Sequence, residues 1–199
     1  MAAAPVDAAA VDPVTQTLTS PTSLEVIRLG HPMLREVAEP VPEEWFGSGR
    51  LHSLAADIVH TMLSEDGVGL AAPQVAESLR FFAYWMPSSD DEEGIEPTVL
   101  LNPEFRPMGE DMVDGWEGCL SIPGLRGIVP RHRRIKAKGR TVEGEPVSLT
   151  ADGLHARVIQ HEYDHLDGIV YLDRMTSPQS LAFEDEWERF VVTGGDDEG

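Results

Sequence analysis

The sequence predicts an α+β domain: antiparallel sheets packed around a central helix, with an amphipathic helix on the N-terminal side and a further helix at the C-terminal end. Three features carry this expectation. An apolar stripe recurs at helical spacing over residues 51–63, short β-rich runs follow with connections too brief for helical crossovers, and two helical segments come last. At 199 residues the chain suits one well-buried core, and its 41% hydrophobic and 25% charged residues lie near globular averages.

Residues 1–22 are rich in Ala, Pro, Thr and Ser, have little apolar surface to set against the entropy of ordering, and read as a flexible tail. Residues 23–193 read as the folded domain, and 194–199, GGDDEG, as an acidic tail. Leu51, Leu54, Ala55, Ile58, Val59, Met62 and Leu63 form the first stripe, with Gly67 placed where a helix stops. Strands are expected at 79–86, 97–105, 133–140 and 145–150, separated by Gly, Pro and acidic turns. The acidic run 88–94 reads as a solvated hairpin connection. Asp152 is the expected N-cap of a helix over 153–167 that ends at Gly168. Ser177 followed by Pro178 predicts the start of the last helix, which carries Leu181, Ala182, Trp187, Phe190 and Val191.

The formal net charge of −20, from 35 acidic against 15 basic residues, repels polyanions and argues against DNA or RNA as the main substrate. The basic residues nevertheless cluster: Arg126, Arg131, Arg133, Arg134, Lys136, Lys138 and Arg140 have no acidic residue among them. Alternation with Ile135, Ala137 and Gly139 reads as a cationic, solvated strand face that discourages edge pairing. The second reading is a contact with ribosomal RNA phosphates. A lone cysteine, Cys119, fits a reducing compartment. The N-terminus has the marks of neither a signal nor a transit peptide, and no apolar run approaches a membrane span, so a cytoplasmic protein is expected.

The chemistry is concentrated in QHEYDH, residues 160–165. On a helix His161 and His165 stand one turn apart, so both imidazoles can reach one metal ion while Glu162 reaches a bound water. Leu154 and Val158 share that face, and burying two imidazoles and a carboxylate beside them is costly unless something binds them. A catalytic site of this type needs a third protein ligand. The longer pattern His-Glu-x-x-His-x-x-Gly-x-x-His holds as far as Gly168 and fails at Tyr171. Cys119, in WEGCLSIPG, remains as a soft thiolate ligand, a nucleophile paired with a His, or a small buried hydrophobe.

GVGLAAPQ (67–74), EGCLS (117–121) and QHEYDH, in this order, together resemble the peptide deformylase family, and the similarity extends from about Leu24 to Met175. The resemblance implies a hydrolase that removes the formyl group from the N-terminal formyl-methionine of newly made proteins. It implies Cys119, His161 and His165 as metal ligands on the central helix and the segment facing it, and Glu162 as general acid/base. Gln74 and the backbone N–H of Leu120 would hold the oxyanion. It further implies a methionine pocket from Val68, Leu154 and Val158, room for substrate backbone at Gly69 and Gly118, and a peptide contact from Arg126. One divalent ion is implied, Fe²⁺ natively, with Zn²⁺, Ni²⁺ or Co²⁺ compatible with the same donors. Arg157 departs from relatives that carry an aliphatic residue there: pointing into the pocket it would weaken methionine preference, and lying along the rim it would change little. A zinc endopeptidase and a non-catalytic protein with a closed, four-ligand metal site are the competing readings.

Overall fold

The computed structural model of the chain describes residues 20–88 and 93–193. The expected N-terminal tail lies outside the described residues except for Ser20–Thr22, which are exposed. The acidic C-terminal tail and the centre of the 88–94 connection also lie outside them.

Helix α1 spans Gly49–Ser64, and Ser48 caps it by accepting a hydrogen bond from the Leu51 N–H. Its end differs in detail from the expectation. Asp66 takes the left-handed conformation, φ 54°, and the Gly67 N–H reaches back to the Met62 carbonyl at 2.9 Å. Gly67 serves close packing instead, since a Cβ there would stand 2.9 Å from the Leu120 side chain.

Strands β1 (Gly69–Ala71), β2 (Phe81–Met86), β3 (Ile95–Pro107), β4 (Met112–Cys119), β5 (Ile122–His132), β6 (Arg134–Arg140), β7 (Pro146–Asp152) and β8 (Ala182–Phe183) build two sheets. One has the order β1-β2-β3-β6-β7 and the other β4-β5-β8, and every strand pair is antiparallel. Alternation along β2 places Phe81 and Ala83 in the core beneath α1, and Phe82 and Tyr84 in the core beneath α2. Strand β2 is therefore buried on both faces. Strand β6 lies between β3 and β7, so its cations do not guard a sheet edge. They cover the exposed face of an interior strand, while Ile135 and Ala137 enter the core.

Helix α2 (Gly153–Leu166) packs on the larger sheet through Ala156, Ile159 and Leu166 and also contacts β5 of the smaller one. It is the central helix. Asp152 occupies its N-cap position, but its carboxylate makes no capping bond and instead lies 3.6 Å from Arg133. Gly168 ends the helix at φ +70°, where a Cβ would lie 2.7 Å from the backbone of Arg35.

A short helix α3 (Tyr171–Arg174) follows. The C-terminal helix starts later than expected. Ser177 caps only a 3₁₀ turn at Pro178–Ser180, after which β8 pairs with Leu125 and Arg126 of β5. Helix α4 (Glu184–Trp187) begins behind that strand and continues as a π-helical turn over Glu188–Val192. Phe190 and Val191 are exposed, so the apolar residues of this segment do not form a buried stripe. Gly168→Ala should destabilise the fold by about 1–3 kcal/mol through the left-handed backbone and the collision with Arg35, read as a fall in Tm or in denaturation midpoint.

Candidate metal centre and its cleft

The centre forms where α2 meets the β4–β5 hairpin. The β4–β5 register jumps between Glu117, opposite Gly127, and Cys119, opposite Ile122, and this irregularity delivers the sulfur to the helix. The ligand atoms of Cys119, His161 and His165 lie within 4.8 Å of one another. Cys119 Sγ is 3.3 Å from His165 Nε2. The two imidazoles stand nearly edge to face, their centroids 5.1 Å apart. Among the described residues this is the cluster of His, Cys and carboxylate side chains close enough to share an ion.

The surroundings fit a cation. Burial disfavours the charged form of His161, but hydrogen bonds to Cys119 and Glu117 outweigh it and raise its pKa well above the usual value. A positive charge is thus favoured at this spot. His165 shifts well down, from burial first and then the charge of His161. Its Nδ1 and one oxygen of Glu162 are buried without a hydrogen-bond partner. A thiolate with two imidazoles suits Zn, Fe, Co or Ni, and the arrangement of three protein ligands matches an open rather than a closed site.

Glu162, beside the first imidazole, is pushed up to about 7, chiefly by burial. Its carboxylate lies against β1: a Cβ on Gly69 would fall 2.2 Å from Glu162 Oε1. Gly69 therefore makes room for Glu162, a reason beyond the substrate backbone that the sequence suggested. Gln74 follows in the 3₁₀ turn Ala72–Val75 and is fixed by the Ala71 N–H, which donates to its Oε1 at 2.8 Å. That leaves its Nε2 protons to approach Ser121 Oγ at 3.2 Å and Cys119 Sγ at 3.5 Å. Leu120 occupies the turn between β4 and β5.

Above the centre opens a cleft of about 580 Å³. Val68, Gly69, Gln74, Gly118, Cys119, Leu120, Arg126, Leu154, Val158, His161 and Glu162 all line it, so the sequence-selected residues converge apart from His165, which is buried below. Val68 and Leu154 expose apolar surface there, at 38% and 57% of their full area. Arg126 meets the C-terminal segment: its Nε and Nη2 donate to Glu184 at 2.9 and 2.5 Å, and its guanidinium lies 4.5 Å from the Trp187 ring centroid.

A buried charged network lies behind the ligands. Glu117 accepts hydrogen bonds from the His161 Nδ1–H at 2.9 Å and from Arg131 at 2.9 and 3.0 Å. Burial pushes the Glu117 carboxyl up, but these bonds outweigh it and hold it far below the usual range. Arg131 also donates to Asp164, which in turn accepts from Arg174 of α3. Arg131, counted in the sequence with the surface basic stretch, is 5% exposed and belongs to this network. Arg157 is mostly buried too: it lines the cleft together with Leu154 and Val158 and carries its guanidinium to the β4–β5 hairpin. The sequence signal for Glu117 and Asp164 was their place inside the motifs, two residues before Cys119 and one before His165.

No helix among the described residues is long and apolar enough to cross a membrane. The family model described as polypeptide deformylase matches residues 23–180. A protein named peptide deformylase 1 from Xanthomonas campestris pv. campestris is 44% identical over 164 residues, spanning 81% of this chain and 95% of that protein. The Met-Ala-Ser-bound crystal structure of a class I type b peptide deformylase from Acinetobacter baumannii superposes with a TM-score of 0.74 at 38% identity, covering 78% of this chain and 100% of that one. The peptide deformylase of Thermotoga maritima gives a TM-score of 0.69 at 35% identity, covering 78% and 99%. With the Cys/His/His cluster, the adjoining carboxylate and the match along most of its length, the chain belongs to the polypeptide deformylase family, hydrolases that remove the N-formyl group from newly made peptides.

Proposed function

We propose that residues 23–193 form a catalytic domain in which Cys119, His161 and His165 hold one divalent ion and Glu162 moves the proton during hydrolysis of N-formyl-methionyl peptides. The observation that carries this reading is the unpartnered, buried carboxylate oxygen of Glu162 beside the ligand cluster on the cleft wall. When bound, the ion supplies Lewis acidity toward water and toward the formyl oxygen. Glu162, pushed up to about 7, is tuned to take a proton from the attacking water and return it to the departing amine nitrogen. The water oxygen adds to the formyl carbon, the carbon–nitrogen bond breaks, and formate and a free amino terminus result. On this reading the Gln74 amide and the Leu120 N–H donate to the oxygen on which negative charge develops; both residues line the cleft, and the Ala71 N–H holds Gln74 Oε1, which supports the assignment. Val68, Leu154 and Val158 offer an apolar wall to the methionine side chain, with Gly118 and Arg126 along the peptide path.

Fe²⁺ is the expected native ion, with Zn²⁺, Ni²⁺ and Co²⁺ accommodated by the same donors. Comparing anaerobically prepared metal forms decides between them. The cytoplasm is the expected site of action, on nascent chains. For the 131–140 stretch we favour a solvated, internally paired face over ribosome contact: Lys138 meets Glu104 at 3.0 Å, Arg140 meets Glu43 at 2.5 Å, and Arg131 is buried.

Four tests bear on this reading. Formate should be released from a formyl-Met-Ala-type peptide, not from its unformylated counterpart, and release should stop with chelator; Glu162→Gln should keep its metal and lose at least about 10²-fold in kcat. Cleavage of unformylated internal bonds would instead favour an endopeptidase. Gly69→Ala should displace the Glu162 carboxylate and lower kcat by about 10²-fold while metal content stays stoichiometric by elemental analysis. Cys119→Ser should hold metal more weakly in chelator competition, and unchanged retention would remove Cys119 from the ligand set.

A further inference from the structure

We propose that Arg157 is a positioning residue for the metal centre: its guanidinium fork fixes the Glu117 carboxylate that orients His161, and the bare backbone of Gly115 is what admits that fork. The inference rests on the ligand assignment made above.

Arg157 and His161 are four residues apart on α2 and so project from the same face. From there Arg157 crosses to the β4–β5 hairpin. Its Nη1 donates to Glu117 Oε1 at 2.8 Å and to the Val129 carbonyl at 2.7 Å, and its Nη2 donates to the Val113 carbonyl at 2.6 Å. These acceptors sit on both strands of the hairpin, so the planar group is locked in one orientation. Glu117 is then held on Oε1 by Arg157 and on both oxygens by Arg131, and presents Oε2 to His161 Nδ1. A carboxylate in that place selects the tautomer and ring rotation that turn Nε2 of His161 toward the other ligands. Arg131 is shared between Glu117 and Asp164, whereas Arg157 gives Glu117 Oε1 a second donor held rigidly by the hairpin carbonyls, and that adds direction as well as charge.

Gly115 supplies the second half. A Cβ there would stand 2.7 Å from Arg157 Cζ and Nη2 and 2.9 Å from Nε, with no backbone atom among its nearest neighbours. Adding a methyl group therefore collides first with the guanidinium, the far end of a flexible side chain, and displaces it. Two substitutions on different elements should thus do the same thing to the metal centre.

The test uses the whole chain loaded with cobalt(II), with Arg157→Leu, Arg157→Lys, Gly115→Ala and the Gly115→Ala/Arg157→Leu pair. We expect Arg157→Leu and Gly115→Ala each to shift the ligand-field absorption bands and to lower kcat about 10-fold, with KM within about 3-fold of the parent, the lower end of what losing an outer-sphere partner typically costs. The pair should be no worse than Arg157→Leu alone, because both remove one contact. Arg157→Lys, which keeps charge and loses the fork, should resemble Leu. Unshifted bands with only a lower Tm would make Arg157 a structural brace and overturn the proposal. A parental spectrum in Arg157→Lys, additive losses in the pair, or a raised KM at constant kcat would each overturn it too. A parent chain that takes up cobalt(II) with a thiolate charge-transfer band yet releases no formate would sink the deformylase reading and leave the spectroscopic test intact. A parent without that band would sink the ligand assignment and this inference with it.

Discussion

The hydrogen bond from His161 Nδ1 to Glu117 is the contact on which the rest of the centre depends. It joins the helix that carries two prospective ligands to the strand that carries the third, and it is made by a buried carboxylate that could not persist there without cations. Arg131 and Arg157 supply those cations from two directions. Asp164 then balances Arg131 and reaches Arg174, so the network extends from the hairpin through α2 to α3. Replacing one member would leave another charge buried and unpaired, which is far costlier than losing a surface ion pair.

This network also explains a tension between the chain's overall charge and its local chemistry. With a net charge of −20, the chain has few cations to spare, yet Arg131 and Arg157 are placed behind the metal ligands. On the surface the opposite economy holds. The basic residues of β6 and its flanks face acidic neighbours, as with Lys138 and Glu104 or Arg140 and Glu43. A stretch that looks like a polyanion-binding strip in one dimension is mostly neutralised in three.

Much of the architecture was legible because it follows period. The stripe of α1 and the histidine spacing of α2 both depend on 3.6 residues per turn, and both lie within a few residues of the expected bounds. Cys119, His161, Glu162 and the cleft residues were legible through motif order, and they do line one cavity or its floor. The β4–β5 hairpin was not legible. Its strands contain Gly115, Gly118, Pro123, Gly124, Gly127 and Pro130, residues that normally end strands. Two of these glycines are there for three-dimensional reasons: Gly115 admits Arg157, and Gly127 admits Met175 and Tyr171. The strand signal was erased by residues that let other elements approach. Leu181–Phe183 likewise read as helix because pairing with β5 is a tertiary event that no local period records.

The irregular pairing just before Cys119 has a further consequence. Successive side chains of a strand point to opposite faces, so a one-residue slip of the hairpin would turn the sulfur away from α2 altogether. Cys119 and His165 are 46 residues apart in the chain, and an ion gripped by both would close that loop only when the strands are correctly aligned. Cation capture would then act as a proofreading step for strand alignment, trapping the properly threaded chain and leaving shifted ones open to unfold and try again.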